Sequence, residues 1–375
     1  MPDQQTPYRV LILINVRWWN ATAFYAVNIA RILEKNGHRV FIGCRSGYPP
    51  YEKARALGLN VRPFDFTGYN PFSLVGNLFA MVRFIRRYHI QIINAHRAED
   101  HAFAVLAGRL TGARVVLTRG DCRPIKPNAL SMLKYRLCDG IVATCRGVVR
   151  LNQQVFNGLE EKTSVIYGSV DEDRFRPMCP VWETRRKYAL GIDTKIVGLV
   201  GRLSPVKDPA TFINAAAQVA GCRKDVTFII AGKEVEIKTA DLWQHIRRKG
   251  LEERFILLSQ VDDIADLMRT FDVGVITSID SETISRVLLE FMSIGKAVIG
   301  TRVNAIGEII QPGISGELIA PGDDKDLAKK IDRLLSDRGL RETYAQNARR
   351  FYENAYSEGC FSRETLSVFA GALKA

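Results

Sequence analysis

Two glutamates, Glu282 and Glu290, stand eight residues apart in the stretch E-T-I-S-R-V-L-L-E, and the second lies within an apolar run of helical period. A carboxylate only accepts hydrogen bonds, so it matches a pair of neighbouring hydroxyls. A helix starting near residue 284 frees N–H groups at Thr283, Ile284 and Ser285 that match phosphate oxygens. The spacing alone also describes two solvated glutamates two turns apart, so its neighbours must decide. Gly201-Arg202-Leu203-Ser204-Pro205-Val206-Lys207-Asp208 puts two cations, Arg202 and Lys207, on a loop directly after a β-branched run. His96 closes the apolar segment Ile92-Ile93-Asn94-Ala95-His96. Arg119, Asp121, Arg123 and Lys126 follow the run Val115-Val116-Leu117-Thr118. Three cations there suit an anionic ligand, and Asp121 offers an acceptor for a hydroxyl's hydrogen bond or proton. A proline-containing loop with solvated charges is the alternative.

These residues need elements to hold them, and the chain alternates short apolar runs with helical stretches throughout. Residues 8–16 read as a strand, 21–36 as a helix ended by Gly37, and 40–44 as a second strand. The pattern recurs as helices over 73–90, 101–112 and 130–139, each followed by a strand, at 90–96, 113–118 and 140–145. Residues 163–190 break the rhythm with consecutive acids at 171–173 and prolines at 177 and 180, and read as a last strand and a linker. A second series follows, with strands at 195–203, 226–232, 254–259, 272–278 and 297–301 and helices between them. The tail after 325 is helical nearly throughout. Strands alternating with helices at this spacing predict an α/β fold of two Rossmann-like, doubly wound parallel-sheet domains. The expected boundaries are 1–170, a linker over 171–194, a second domain over 195–355, and a terminal helix over 356–375. Ligands of open α/β sheets bind at the strand C-termini, where His96, Arg119, Arg202 and Glu282 fall.

The residues and loops just described resemble those of the retaining GT-B glycosyltransferases of family 4. The Glu282/Glu290 stretch is similar to that family's E-x7-E element, and Gly201-Arg202-Leu203 through Lys207 to its G-R-L-x-x-x-K segment. The resemblance implies that Glu282 faces the donor sugar, Glu290 bonds the ribose hydroxyls, and Arg202 and Lys207 clamp the donor diphosphate. It also implies that His96 approaches the donor sugar as a positioning group or proton relay, a buried structural histidine being the alternative. A cleft between the two domains and a C-terminal helix crossing back to the first domain belong to the same expectation. One departure stands out. Where the family has a Gly-Gly loop after its first strand, this chain has Trp18-Trp19-Asn20-Ala21-Thr22, which shifts that role toward Asn20 and its neighbours. Trp18 and Trp19 suit a sugar face, a lipid interface or ordinary packing.

The expected activity is therefore a retaining, metal-independent transfer of a sugar from a nucleoside-diphosphate-sugar to a hydroxyl of a glycan or glycolipid. No cofactor and no metal are expected beyond that donor substrate. Charge sharpens the acceptor. The chain carries a net +13, and residues 1–170 account for all of it, with 23 Lys and Arg against 10 Asp and Glu. A phosphorylated glycolipid of the lipopolysaccharide or envelope-polysaccharide kind, met at an anionic membrane surface, would suit such a domain. Arg119, Asp121, Arg123 and Asn20 are the expected acceptor contacts. The basic and apolar stretch 79–88 fits a helix resting on that surface, or an ordinary helix covering the sheet.

Alternatives are a sugar-nucleotide 2-epimerase of the same fold or a non-catalytic polyanion-binding protein. No helix-turn-helix, zinc-finger or RNP pattern points to nucleic acid. No apolar run is long enough to span a bilayer and no leader pattern opens the chain, so a cytoplasmic, peripherally membrane-bound protein is expected. Seven scattered cysteines without a C-x-x-C pair read as reduced thiols, and Asp171-Glu172-Asp173 as linker residues that hold no metal.

Overall fold

The computed structural model describes residues 7–66, 70–178 and 181–374; Pro180, named above, and Cys179, one of the seven cysteines, lie outside them. The chain divides into two compact units, Met1–Ser169 with Glu358–Ala375, and Val170–Ser357. The first unit runs β1 (Arg9–Leu13), α1 (Ala21–Lys35), β2 (Arg39–Cys44), α2 (Pro49–Ala56), β3 (Asn60–Pro63), α3 (Pro71–Tyr88), β4 (Ile92–Ala95), α4 (Ala98–Thr111), β5 (Arg114–Arg119), α5 (Ala129–Leu137), β6 (Gly140–Ala143), α6 (Arg146–Leu151), α7 (Gln153–Phe156) and β7 (Thr163–Val165). Its seven strands are parallel in the order β3-β2-β1-β4-β5-β6-β7.

The second unit runs α8 (Trp182–Lys187), β8 (Lys195–Val200), α9 (Pro209–Cys222), β9 (Val226–Ala231), α10 (Thr239–Arg248), β10 (Phe255–Leu258), α11 (Ile264–Arg269), β11 (Val273–Ile276), α12 (Arg286–Ile294), β12 (Ala297–Thr301), α13 (Asn304–Ile309), β13 (Glu317–Ile319), α14 (Asp324–Ser336) and α15 (Arg338–Phe351). Its six strands are also parallel, in the order β10-β9-β8-β11-β12-β13. The last helix, α16 (Glu358–Lys374), returns to the first unit and packs on α1, β5 and β6. Phe361 stands edge-on to Tyr25 at 4.8 Å, and Glu358 pairs with Arg31.

Central strands form where both faces can be covered. Val10, Leu11, Ile12 and Leu13 are fully buried, because helices lie on each side of the sheet. Local caps set the helix limits. Asn70 and Asn128 accept the free amides at the starts of α3 and α5, and left-handed backbone at His89 and Gly112 stops α3 and α4. The helices predicted over 73–90, 101–112 and 130–139 therefore begin one to three residues earlier and end one or two earlier. Several elements were not predicted: α2, β3, α6, α7, α8, α13 and β13. Both unpredicted strands sit at sheet edges and run only four and three residues, too short for a period to register.

In each sheet the strand order reverses direction once, between β1 and β4 and between β8 and β11. Loops leaving the adjacent strands on either side of such a point diverge and open a crevice at their C-terminal ends. His96 leaves β4 there in the first unit. Arg202 leaves β8, and Glu282 follows β11, in the second.

Candidate functional site

In the second unit, the chain turns sharply after β8 because Gly232, at the end of β9, lets the backbone of Gly201 press against it. A Cβ on Gly232 would lie 1.6 Å from the Gly201 carbonyl oxygen. The turn leaves Arg202 exposed and without a hydrogen bond or ion pair to the described residues, ready for an external anion. Lys207 follows, and Asp208 takes left-handed backbone (φ 42°) to cap α9 through the Thr211 amide. The loop after β11 is tied to this turn. The Thr277 hydroxyl donates to the carbonyls of Lys207 and Asp208 at 2.8 Å each, and the Ile279 amide donates to the Val206 carbonyl. Glu282, 3% exposed, is held at its backbone by the Ala305 amide; its side chain pairs with Lys207 and accepts from the Ser278 hydroxyl at 2.8 Å. The structure thus brings Glu282 and Lys207 together, two residues to which the family resemblance assigns separate tasks.

Glu290 sits one turn inside α12 and is 2% exposed. Arg286, one turn before it, reaches one carboxylate oxygen at 3.0 Å, while Oε2 is buried with no partner. Burial pushes the Glu290 carboxyl above the usual range, against the pull of Arg286, Arg174 and Lys207. An acceptor that has lost water and gained nothing costs roughly 1–3 kcal/mol until a donor meets it. Two hydroxyls of the second unit share this state, Ser285 Oγ at the start of α12 and Ser204 Oγ in the loop of Arg202. Thr283 and Ile284 are buried in the same approach to α12, whose N-cap Ser285 makes no side-chain cap bond, so the first-turn amides stay uncapped by it.

In the first unit, the Asn94 amide donates to the Val116 carbonyl at 3.1 Å and the Thr118 hydroxyl at 2.9 Å, which turns its oxygen toward His96 Nε2 at 2.8 Å. That network protonates Nε2 and leaves Nδ1 as a bare acceptor, buried and unpartnered. Burial pushes His96 down to about 3, so the ring is neutral at ordinary pH. Across the switch point, Asn15 follows β1 and grips the fully buried Asp100 twice, through its amide Nδ2 at 2.6 Å and its backbone N–H at 3.0 Å. Burial pushes Asp100 up to about 7 despite both bonds. Asn15 Oδ1 is then another buried acceptor without a partner. Sequence reasoning missed Asn15 and Asp100, since nothing marks two residues 85 apart as a pair.

The expected acceptor residues are arranged less simply. Asn20 Oδ1 is occupied as the N-cap of α1, bonding the Ala23 amide at 2.9 Å, so a ligand could meet only its NH2 group. Arg119, 7% exposed at the end of β5, donates to the Arg123 carbonyl at 2.6 Å. Arg123 locks onto Asp121 at 2.5 Å, with Arg97 a further 3.8 Å from the same carboxylate. Burial would raise the Asp121 carboxyl, but the Arg123 hydrogen bonds and the Arg119 charge overcome it and hold it below its ordinary value. Asp121 is thus an ionised hydrogen-bond acceptor rather than a proton acceptor near neutral pH, and the cluster of Arg97, Arg119 and Arg123 around it stays net positive. Trp18 is exposed, while Trp19 is half-buried, edge-on to Phe24 and under Lys53. His101 is buried against Tyr135. Among the described residues no group of three metal-binding side chains converges, and no helix is long and apolar enough to cross a membrane.

Two family models cover most of the chain: Glycosyltransferase Family 4 over residues 22–174 and Glycosyl transferases group 1 over residues 180–351. Alpha-D-kanosaminyltransferase of Streptomyces kanamyceticus is 30% identical over 348 residues, covering 85% of this chain and 88% of that protein. N-acetyl-alpha-D-glucosaminyl L-malate synthase of Bacillus anthracis is 25% identical over 354 residues, covering 90% and 91%. Among solved structures, Anabaena HepE in complex with UDP-glucose shares the fold at a TM-score of 0.78 and 24% identity, over 96% of this chain and 99% of that one. Two parallel Rossmann-like sheets with this topology define a GT-B fold. The chain belongs to the group 1, family 4 glycosyltransferases and is a glycosyltransferase enzyme.

Proposed function

We propose that this glycosyltransferase moves a sugar from a nucleoside-diphosphate-sugar to a hydroxyl of an anionic glycan or glycolipid, with retention at the sugar carbon and without a metal ion. Residues 195–355 would hold the donor and residues 1–170 the acceptor. The observation that carries this reading is the bare, buried Oε2 of Glu290. A carboxylate oxygen without a donor, on a helix whose N-cap Ser285 makes no side-chain cap bond, in the same unit as the exposed Arg202, suits a ribose diol attached to a diphosphate. HepE binds UDP-glucose in the same fold, which favours a uridine donor.

Arg202 and Lys207 would neutralise the charge that grows on the departing diphosphate, work that removes the need for a cation. Releasing Lys207 to the phosphate frees Glu282 for the sugar hydroxyls. His96 Nδ1 would accept from another sugar hydroxyl and fix the ring for attack. The leaving phosphate oxygen takes the acceptor proton as the new glycosidic bond forms on the same face, so no protein nucleophile is used. The net positive cluster of Arg97, Arg119 and Arg123 favours a phosphorylated acceptor, such as a lipopolysaccharide core or a related envelope glycolipid, reached from the cytoplasmic face of the membrane.

The test is isothermal titration of the chain with UDP-, GDP- and ADP-sugars in EDTA, alongside Glu290→Ala and Arg202→Ala variants. Binding of one donor, lost at least tenfold in both variants, is expected, and NMR of the transferred sugar should show retained anomeric configuration. Donor binding that requires a divalent ion, or that survives both substitutions, overturns the assignment.

A further inference from the structure

Helix α3 carries an unusual exposed stripe. Phe72, Val75 and Phe79 are 86%, 51% and 70% exposed, and Arg83, Arg86 and Arg87 follow them. At 100° per residue these six side chains project within a sector of about 120°. Met81 and Ile85 are buried on the other side of the helix, and Val82 is buried at the border of the stripe beside Val75. The stripe is therefore apolar for its first two turns and cationic for its last. Helix α4 packs beside α3, and α5 beside α4. These neighbours extend the surface with exposed Leu106, Leu110, Leu130 and Leu133. Neither α3 nor α5 contains an acidic residue. On α4, Asp100 is buried and Glu99 is paired with Arg97.

We infer that the α3–α4–α5 face seats the enzyme on an anionic membrane, with the Phe72, Val75 and Phe79 side chains entering the interface and Arg83 and Arg87 meeting lipid phosphates. Two nearly full-surface phenylalanines one helical stripe apart are costly to leave in water, and a protein partner covering them would also need acids to answer the arginines. A bilayer with anionic headgroups supplies both in the required order, apolar depth beside phosphate. Parallel strands feed their helices from the C-terminal edge of the sheet, so the apolar turns of α3 and the Leu130 end of α5 lie at the edge where His96 sits. A membrane met there presents headgroups to the same edge of the unit. Arg86 is left out of the headgroup contacts because it already donates to the Leu110 carbonyl at 2.9 Å.

The inference is independent of donor identity, and its test uses no nucleotide. The full chain is sedimented with sucrose-loaded vesicles of phosphatidylcholine alone, or with one-third phosphatidylglycerol, in low salt and in 0.5 M salt. Binding is expected to the anionic vesicles only, falling at least tenfold in high salt. Phe72→Ser with Phe79→Ser should weaken it at least tenfold, as should Arg83→Glu with Arg87→Glu, while circular dichroism and melting temperature stay unchanged. Equal binding to both vesicle types, or variants that bind like wild type, would overturn the proposal. So would a concentration-dependent dimer that the phenylalanine variant abolishes without any vesicle binding, since a second copy of the chain would then cover the face.

Discussion

Asp100 makes the stability of the first unit depend on pH in a direction opposite to that of most carboxylates. Its carboxyl is fully buried and rises from an ordinary 3.8 to about 7, burial outweighing the two bonds from Asn15. The folded chain therefore keeps a proton that the unfolded chain has released. The stabilising contribution is complete below about pH 4 and is gone once pH passes about 7. Each pH unit inside that window is worth about 1.4 kcal/mol, so between pH 5 and pH 7 the wild type should lose roughly 3 kcal/mol that an Asp100→Asn variant does not lose. For a unit of this size that corresponds to about 6–12 °C in melting temperature. Scanning calorimetry of both proteins at half-unit pH intervals, following the transition of the first unit, isolates the residue because every other group is common to the pair. Parallel pH slopes would refute the reasoning and would mean that the Asn15 bonds keep Asp100 ionised after all.

Glu290→Gln should abolish donor binding while leaving melting temperature unchanged or slightly raised, because it removes a buried acid whose proton burial already favours; titration calorimetry beside a thermal melt tests both halves. Gly232→Ala forces a Cβ against the Gly201 carbonyl, so a loss of about 3 kcal/mol and of donor affinity together is expected, read by denaturant unfolding and by titration. His96→Ala should lower turnover about 100-fold, and wild-type turnover should show no inflection from His96 between pH 6 and 8, since that ring stays neutral there. A pH–rate profile that loses a limb near neutrality in the His96 variant would contradict this.

Much of the fold was legible because helices and strands alternate at lengths that leave a period. The segments ending in Ile93 and Val200 are runs of residues that fit only a covered strand. The edge strands were not legible: β3 contains Pro63 and exposes most of its side chains, and β13 opens on Glu317, a buried acid that reads as surface until Tyr344 and Lys330 are seen to meet it. The site divides the same way. Glu282, Lys207 and Glu290 could be named from sequence, but not that Lys207 rests on Glu282, because pairing across 75 residues follows from the reversal of strand order between β8 and β11. Nor could the sequence show that the Asn20 oxygen is spent on starting α1, which leaves only its NH2 group to meet a ligand. The Asn15–Asp100 pair had no local sign at all.

The return of α16 to the first unit has a consequence for how the protein is made. Phe361 and the Arg31–Glu358 pair close the surface of α1, yet the residues that supply them leave the ribosome only after the whole of the second unit. During synthesis the first sheet must wait, with Tyr25 and its neighbours uncovered, while nearly two hundred further residues are added. Domains usually complete themselves in the order they are translated. Here the unit that starts first finishes last, so a nascent chain stalled before residue 358 would present an unfinished face to chaperones, and a stop codon there would remove a wall of the first unit rather than a tail.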